Sequence, residues 1–325
     1  MKVIEVDVGA RLHFGFLDLN GSLGRIFGGI GVGIEEPRTT LVATSNDALE
    51  AVGPDSARAL EFARRFMGHF DLKEGASVRI SSSIPPHVGL GSGTRLALAV
   101  GKALSTLFDI DTSIEDLANI MGRSKRSSVG TVSFERGGFV LDGGHRKEGI
   151  RGFPPLLFHT MLPIDWFFVV VVPLSLRGTS GNEEDKKFKQ LKVREEVSSK
   201  ICRIVLMTML PSILEEDVRN FGSAVSEVQR LMGECFSSIQ GGNFISPLSE
   251  EIASFMESEG AFGVGQSSWG PTVYGVVEGY EAAHELSLKL QKVLRDESMI
   301  FVSSCAHEGA RVEVRGDRFD DFSRR

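Results

Sequence analysis

Apolar and polar positions alternate along some stretches of this chain and recur with a helical period along others. Residues 3–8 alternate valine and isoleucine with polar neighbours, which predicts a strand, and residues 12–19 and 39–44 predict two more. Residues 56–70 and 92–107 carry apolar stripes at three- and four-residue spacing, which predicts two helices. The first half of the chain therefore mixes strands with helices.

Several shorter stretches of the first half are also patterned. A short helix is predicted at residues 113–121, with Ser113 as its N-cap. Residues 132–135 and 139–142 are short apolar runs that predict two strands. Residues 20–33 hold six glycines, which predict tight turns or a backbone that closely approaches a ligand.

The second half of the chain begins with residues 167–172, a wholly apolar, β-branched run that is typical of a buried strand. Residues 182–246 are mostly helical in pattern, with an interruption near Pro211. The remaining predicted elements are a helix at 249–259, a strand at 272–277, a helix at 280–294 and strands at 299–304 and 310–314. This order predicts an α+β fold, and the loop-rich stretch 143–163 predicts a boundary between domains at 1–155 and 156–325.

Composition and charge narrow the class of protein. Apolar residues make up 42% and charged residues 24%, as in ordinary globular proteins, and no unbroken apolar run is long enough to span a bilayer. The N-terminus lacks the pattern of a secretory signal, and three widely spaced cysteines fit buried, reduced thiols. A net charge of −7 argues against a nucleic-acid partner. We expect a cytoplasmic protein that acts on small molecules and has no membrane partner.

One glycine-rich segment joins a predicted strand to a predicted helix: residues 85–95 read Pro-Pro-His-Val-Gly-Leu-Gly-Ser-Gly-Thr-Arg. Glycines let the backbone approach an anion, which the free N–H groups and the dipole of the first helical turn then bind. Ser92 and Thr94 add hydroxyl donors or a ligand for Mg²⁺, and Arg95 adds a charge suited to phosphate. We expect a phosphate-binding loop; the alternative is a structural turn in which Ser92 or Thr94 caps the helix.

Three other segments have residues that suit anion chemistry. Residues 10–15 read Ala-Arg-Leu-His-Phe-Gly, and residues 263–272 read Gly-Val-Gly-Gln-Ser-Ser-Trp-Gly-Pro-Thr. Residues 122–131 read Gly-Arg-Ser-Lys-Arg-Ser-Ser-Val-Gly-Thr and offer cations and hydroxyls but no carboxylate, although a solvated basic loop is the alternative. Residues 177–181 form a loop that could reach the same site as a lid.

These segments resemble the ordered motifs of the GHMP kinases, with 85–95 as the phosphate loop and 10–15 and 263–272 as the first and last motifs. The resemblance implies a GHMP-kinase fold: an N-terminal α/β domain that carries the phosphate loop, and a C-terminal ferredoxin-like α+β domain. The chain departs from the family where kinases usually carry small residues, at Gly93 and Arg95. It also lacks an aspartate in 122–131, where these kinases often have a catalytic one, so a phosphoryl transferase would lack its obvious base.

Four strings, at residues 11–21, 24–29, 122–144 and 265–272, look like one branch of this superfamily. That branch is the beta-ribofuranosylaminobenzene 5'-phosphate synthases of methanopterin biosynthesis. The resemblance implies a pentosyltransferase that condenses phosphoribosyl pyrophosphate with 4-aminobenzoate or 4-hydroxybenzoate and releases CO₂ and pyrophosphate. It also implies Mg²⁺ as a companion of the diphosphate, and a homodimer is expected from the superfamily.

The resemblance makes Arg11, His13 and Arg95 the catalytic candidates, with Arg11 and His13 as clamps for a carboxylate or phosphate. Trp269 or Phe14 could stack on the aryl ring. The candidates for binding substrate or phosphate are Gly28, Gly29, Gly89, Gly91, Ser92, Gly93, Thr94, Arg123, Arg126, Ser128, Gln266, Ser267, Ser268 and Trp269. The metal candidates are Ser92, Asp18 and Asp142. Two other functions stay open: an ATP-dependent GHMP kinase for a sugar or isoprenoid alcohol, and a ligand sensor without catalysis.

Overall fold

The computed structural model describes residues 2–148, 152–178, 186–188, 190–191 and 193–316. Its strands are β1 (Val3–Asp18), β2 (Arg25–Asn46), β3 (Glu50–Val52), β4 (Gly75–Ser82), β5 (Phe139–Asp142), β6 (His145–Arg146), β7 (Leu156–Thr160), β8 (Trp166–Pro173), β9 (Gly263–Gln266), β10 (Val273–Glu278), β11 (Ser298–Ser304) and β12 (Arg311–Arg315). Its α-helices are α1 (Ser56–His69), α2 (Ser92–Leu107), α3 (Ile114–Ile120), α4 (Val129–Arg136), α5 (Glu195–Ile204), α6 (Leu210–Leu214), α7 (Val218–Gln240), α8 (Pro247–Ser258) and α9 (Tyr280–Leu294). Strands and helices are thus mixed throughout, as the α+β prediction required.

The first sheet is built on two long antiparallel strands, β1 and β2. Its path runs β12-β1-β2-β4-β3, with β5 and β6 paired to β2 and β7 paired to β5. The start of β1 buries Ile4, Val6 and Val8 in one core with α1, α2 and α3. Its second part buries Leu12 and Phe14 in another core, together with β8, α5 and α7. Residues 9–13 of β1 therefore lie where the two cores meet.

The second sheet has the strand order β11-β8-β10-β9, and each neighbouring pair is antiparallel. In chain order, β8, the helices α5 to α8, β9, β10, α9 and β11 give a ferredoxin-like arrangement. Val170 and Val172 of β8 face the core with α5 and α7, whereas Val169 and Val171 face α8 and α9. Burial on both faces explains why β8 is wholly apolar, and the predicted ferredoxin-like half is confirmed.

One predicted local structure is wrong. Residues 132–135, predicted as a strand, lie in the helix α4, because a short apolar run does not distinguish a strand from a buried helical face. Of the glycine-rich stretch 20–33, the first part forms a tight turn as predicted, with the Gly24 N–H donating to Gly21 O at 3.3 Å, and the rest lies within β2. An added Cβ at Gly31 would lie 2.3 Å from the carbonyl oxygen of Leu12, so this glycine lets the two long strands pack closely.

The first sheet draws strands from both sides of the predicted domain boundary at 155/156. β7 lies just beyond that boundary and pairs with β5, and β12, near the other end of the chain, pairs with β1. Ile34 also forms an isolated bridge with Cys305. The N-terminal domain therefore includes residues 156–160 and 311–315 in addition to the predicted range.

The helices α5 and α6 are joined by a π-helical turn, Val205–Met209, into one segment, Glu195–Leu214. Pro211 has no N–H to donate, which is consistent with the widened turn just before it. Within the described part of the chain, this segment is the one helix long and apolar enough to span a bilayer, with a mean hydropathy of 1.5. Core helices meet the same criterion, and Ile201, Val205 and Met209 are buried here in the core.

Candidate functional site

The phosphate loop ends at Gly91, which caps α2 in a left-handed conformation with φ 78°. The N–H groups of Thr94 and Arg95 both donate to Gly91 O, at 3.0 Å each. Within the described residues, the N–H groups of Ser92 and Gly93 donate to no backbone carbonyl. The predicted strand, glycine turn and helix are therefore in place, and two amides at the positive end of α2 remain available to an anion.

Hydrogen bonds join the phosphate loop to the first and last predicted motifs. Ser267 Oγ donates to Gly89 O at 2.8 Å and accepts from the His13 backbone N–H at 3.0 Å. Arg11 Nη1 donates to the same Gly89 oxygen, and Thr272 Oγ1 donates to Val88 O at 2.6 Å. Three segments distant in sequence thus meet around one short loop.

Two irregularities in the pairing of β1 with β2 explain how Arg11 and His13 reach this junction. The register shifts between Gly9 and Arg11 and again between His13 and Gly15. Bulges of this kind re-aim side chains and are frequent beside active sites. Both side chains line the cavity in front of the phosphate loop.

This cavity, hereafter the main cavity, has a volume of about 460 Å³. Among the described residues that line it, the cations are Arg11, Arg58, Arg123, Lys125 and Arg126, and Glu61 is the one carboxylate. Ser92, Gly93, Thr94, Ser268 and Trp269 line it as well. The main cavity is thus strongly positive in a chain whose net charge is −7, and it suits a ligand with several negative charges.

Arg58 and Arg123 lie close to the first turn of α2. A Cβ added at Gly93 would lie 3.4 Å from Arg123 Nη1 and 3.6 Å from Arg58 Nη1. Burial, and then the charges of Arg58 and Arg65, lower the pKa of Arg123 from its ordinary value to about 10. The site therefore holds cations close together at an energetic cost that a bound anion would relieve. No local pattern in the sequence marks Arg58, which lies on α1 outside every motif.

The loop of residues 122–128 is held from behind by Asp142. The buried carboxylate accepts hydrogen bonds from Ser127 Oγ at 3.1 Å, from the Ser128 backbone N–H at 2.7 Å and from Gly144 N at 2.9 Å. Ser128 Oγ also donates to it, at 3.1 Å. With its lone pairs used in this way, Asp142 supports the cationic loop and does not line the main cavity, contrary to its prediction as a metal ligand.

Asp18 does not line the main cavity either. Its carboxylate accepts from the N–H groups of Asn20 and Gly21, at 2.6 Å and 3.0 Å, and so closes the turn after β1. No group of three or more His, Cys, Asp or Glu side chains suited to a metal ion occurs in the part of the chain that the structure describes. Of the predicted metal ligands, Ser92 is the one that lines the main cavity.

Arg95 is placed differently from its prediction. Its side chain is 1% exposed and donates to Gly130 O at 2.7 Å, Ala10 O at 3.0 Å and Ser133 Oγ at 3.0 Å. It lines a separate cavity of about 320 Å³ and not the main one, because its side of α2 packs against β1 and α4. Arg95 thus links α2 to two neighbouring elements, and the structure does not bring it to the phosphate loop.

Four other predicted residues lie behind the main cavity. Gly28 and Gly29 belong to β2. A Cβ at Gly29 would lie 1.9 Å from Ser127 Oγ, so this glycine makes room for the cationic loop, whereas Gly28 packs against Leu17. Ser128 is buried against Asp142. Gln266 holds two backbone segments together: its Oε1 accepts from Ile245 N at 2.7 Å, and its Nε2 donates to Ser268 O at 3.1 Å.

His13 and Trp269 form the wall between the main cavity and a second, smaller one. Burial, and then the charges of Arg11 and Arg126, lower the pKa of His13 well below its ordinary value, so the imidazole is neutral. One face of the Trp269 ring stacks on Phe188 at 5.1 Å, and Phe236 meets it edge-on at 4.9 Å. Stacking of Trp269 on a substrate ring, which the sequence suggested, therefore meets an occupied face.

The other suggested ring, Phe14, is a core residue: it is 2% exposed and lies 5.3 Å from the ring of Tyr274. The loop predicted as a lid reaches the main cavity at Gly178, whose N–H donates to His87 O at 2.7 Å. Residues 179–181 of that loop lie outside the described residues.

Comparison with known proteins shows which family has this site. Residues 57–138 match the GHMP kinases N terminal domain, and residues 209–296 match the GHMP kinases C terminal family. The chain is 32% identical to the beta-ribofuranosylphenol 5'-phosphate synthase of Archaeoglobus fulgidus over 94% of its own length and 98% of the relative's. It is 33% identical to the protein of the same name from Methanothermobacter thermautotrophicus, over 85% and 90% of the two chains. The chain belongs to the beta-ribofuranosylphenol 5'-phosphate synthase family.

Members of this family are enzymes of the pentosyltransferase type, and the chain has their C-ribosyltransferase role in the methanopterin pathway. Two solved structures that resemble it are named for other activities. A homoserine kinase from Cytophaga hutchinsonii superposes with a TM-score of 0.71 at 14% identity, over 96% of this chain and 97% of that one. A mevalonate diphosphate decarboxylase from Staphylococcus aureus gives a TM-score of 0.68 at 15% identity, over 96% and 98%. At such identities these structures show the fold alone, and the predicted GHMP-kinase fold is confirmed.

Proposed function

We propose that this synthase condenses phosphoribosyl pyrophosphate with 4-hydroxybenzoate or 4-aminobenzoate to an aryl C-riboside 5'-phosphate, CO₂ and pyrophosphate. The observation that carries the proposal is the main cavity, where the described lining residues include five cations and one carboxylate around the first turn of α2. Phosphoribosyl pyrophosphate is a polyanion with a phosphate at each end of the ribose. A cavity lined by five described cations suits such a molecule better than it suits a neutral alcohol.

The bond changes in this reaction need charge stabilisation more than they need a base. The bond between ribose C1 and the pyrophosphate oxygen breaks, and its electron pair leaves with pyrophosphate. The ring carbon that bears the carboxylate then bonds to C1. The bond from that carbon to the carboxylate breaks, its electrons restore the aromatic ring, and CO₂ leaves. No proton has to be removed from carbon, which agrees with a main cavity whose single described carboxylate is the exposed Glu61.

The residues around the phosphate loop have the chemistry to stabilise the departing pyrophosphate. The amides of Ser92 and Gly93 lie at the positive end of α2. Arg58 and Arg123 lie within reach of the same turn, as their distances from Gly93 indicate. Donors that are already oriented where negative charge develops cost little reorganisation during the reaction, which is how such sites accelerate it. Arg11, Lys125 and Arg126 line the same cavity, so the other charged groups of the substrates would meet these cations.

Mg²⁺ fits this site as part of the substrate and not as a resident ion. Mg²⁺ usually binds through one or two carboxylates together with substrate phosphates. Glu61 is the one carboxylate among the described lining residues, and Ser92 and Thr94 offer hydroxyl oxygens beside the phosphate loop. We propose that the ion enters already bound to the diphosphate, where it would neutralise part of the charge of the leaving group.

Of the two acids, we propose 4-hydroxybenzoate as the preferred substrate. The relatives from Archaeoglobus fulgidus and Methanothermobacter thermautotrophicus are named for a ribosylphenol, which is the product that a hydroxybenzoate would give. A cytoplasmic location and a homodimer, both expected from the sequence, also remain part of the proposal. Cell fractionation and light scattering on the purified protein test these two points.

The experiment is to incubate the purified enzyme with Mg²⁺, phosphoribosyl pyrophosphate and each acid labelled in its carboxyl carbon. We expect CO₂ and pyrophosphate in equal amounts, both strictly dependent on an aromatic acid. A parallel incubation with labelled ATP and a panel of sugars and isoprenoid alcohols tests for kinase activity. Absence of CO₂ and pyrophosphate with both acids, or clear phosphoryl transfer to an alcohol, would refute the proposal.

A further inference from the structure

Two buried nitrogen atoms on the wall between the cavities have no hydrogen-bond partner. His13 is 4% exposed and Trp269 is 5% exposed, and within the described structure neither His13 Nε2 nor Trp269 Nε1 is hydrogen-bonded. Leaving a buried polar atom unpaired costs about 1–3 kcal/mol. Both side chains line the main cavity and the smaller one, so the missing partner is either a ligand group or a water molecule.

The surroundings of this pair suit an aromatic ring. Phe16 lines both cavities and lies 4.7 Å from the His13 ring, centroid to centroid. The smaller cavity, beyond the wall, has a volume of about 20 Å³, which holds about one water molecule but not a benzoate. The main cavity, which both side chains also line, is the one of the two that is large enough for such a ring.

The pair also selects the kind of group that it binds. The indole N–H of Trp269 can only donate a hydrogen bond, whereas the neutral imidazole of His13 can accept one at Nε2. A hydroxyl group both donates and accepts, so it satisfies both nitrogen atoms at once. A carboxylate or a phosphate only accepts, and it would leave His13 without a donor when Nε2 carries no proton.

We propose that His13 and Trp269 bind the 4-hydroxyl group of the aromatic acid, with Trp269 donating to its oxygen and His13 accepting its hydrogen. This inference rests on the proposed function and assigns the end of the acid that lies away from the ribose. The 4-oxygen is conjugated with the ring carbon that bears the carboxylate. A hydrogen bond accepted by His13 moves electron density from that oxygen towards this carbon, which forms the bond to ribose C1. As CO₂ leaves, the proton stays with the phenol, and no further reactant is consumed.

The assignment replaces the earlier expectation that His13 clamps an anion, and it predicts the order of preference among acids. A 4-amino group donates well but accepts poorly, so Trp269 would lose its partner. A 4-methoxy group accepts but cannot donate, so His13 would lose its hydrogen-bond partner. Benzoate has no substituent at position 4 and can form a hydrogen bond with neither nitrogen atom there. 4-Hydroxybenzoate should therefore bind most tightly.

Binding can be measured without turnover, in saturating pyrophosphate and without phosphoribosyl pyrophosphate. The chain has two tryptophans, Trp166 and Trp269, so the Trp166→Phe variant leaves Trp269 as the one fluorescent reporter. We expect 4-hydroxybenzoate to bind at least about 10-fold more tightly than benzoate, a difference of about 1.4 kcal/mol. Calorimetry on the unmodified protein provides the same ratio independently. Equal affinity for the two acids would overturn the proposal.

Variants then assign the preference to the pair. In His13→Phe and in Trp269→Phe, measured by calorimetry, the preference should fall below about 3-fold, while the affinity for pyrophosphate, which reports an intact fold, stays unchanged. His13→Gln, whose carbonyl can accept, should recover part of the preference and part of kcat. His284→Phe makes the same exchange at an exposed histidine and should change nothing. An unchanged preference in both His13→Phe and Trp269→Phe, or in Trp269→Phe alone if the first does not fold, would refute the assignment. Because binding is measured without turnover, this result is independent of whether CO₂ and pyrophosphate are formed.

Discussion

Replacing Arg123 by methionine should make the empty enzyme more stable and its affinity for pyrophosphate weaker. Arg123 Nε is buried with no hydrogen-bond partner in the described structure, and the guanidinium lies over the Phe62 ring at 4.8 Å. Its pKa is lowered from its ordinary value to about 10, chiefly through burial and then through the charges of Arg58 and Arg65. A lowered pKa in a basic group means that the folded state disfavours the charge. This cost is fully present at neutral pH and disappears as the pH rises above about 10.

The size of the effect follows from the same values. At about 1.36 kcal/mol per pKa unit, the lowering of the Arg123 pKa to about 10 corresponds to about 3 kcal/mol. Water screens the charge of a partly exposed side chain, which reduces this to about 1–2 kcal/mol. Methionine keeps an unbranched stem over Phe62, so little packing is lost. The removal of charge-assisted hydrogen bonds should weaken pyrophosphate binding by about 1.5–3 kcal/mol, or roughly 10- to 100-fold.

Urea unfolding at pH 7, with and without pyrophosphate, and calorimetric titration with pyrophosphate measure both effects on one sample. Arg64→Met is the matched control, because Arg64 is exposed on α1 and does not line the main cavity. It should change neither quantity. If Arg123→Met is no more stable than the parent without ligand and binds pyrophosphate equally well, then Arg123 belongs to a solvated surface and not to the phosphate site.

Three further substitutions test the assignments made above. Gly91→Ala puts a Cβ 2.8 Å from Arg11 Cγ at a positive φ, so we expect the free energy of unfolding in urea to fall by about 1–3 kcal/mol and kcat/KM to fall at least tenfold. Gly68→Ala, with open space around it, is the control. A fully active Gly91→Ala enzyme would mean that the loop is only structural. Asp142→Asn should lower the free energy of unfolding by about 1–3 kcal/mol and raise the KM for phosphoribosyl pyrophosphate, without altering the Mg²⁺ requirement. A changed Mg²⁺ requirement would indicate that Asp142 is a metal ligand after all. Arg95→Met should leave the affinity for pyrophosphate within about 3-fold, and a loss of tenfold or more, in a folded variant, would return Arg95 to the phosphate site.

The sequence predicted local structure well. The helix at 92–107 and the turn before it were predicted with the observed bounds, because the apolar stripe and the glycine at the cap are properties of neighbouring residues. The cap at Ser113 is confirmed for the same reason: its side chain accepts from Asp116 N. The sequence also predicted that the first, second and last motifs share one site, because they resemble the ordered motifs of the GHMP kinases.

What the sequence predicted poorly depends on packing between distant segments. Arg95 follows the phosphate loop directly, yet its side of α2 packs against β1 and α4, which no local pattern reveals. Gly29 has its role because Ser127 packs against it from another part of the chain. Arg58 lies in the site only because α1 packs beside α2.

The pairing of β12 with β1 has a consequence for how the protein folds as it is made. Val3 to Asp7 pair with Arg315 to Arg311, so that edge of β1 stays open until about three hundred further residues have left the ribosome. An open strand edge is a template for pairing with other chains. We therefore expect a fragment that ends before residue 311 to self-associate, even though it contains the whole phosphate loop. Synthesis of this enzyme, in turn, should depend on chaperones that shield the edge until β12 arrives.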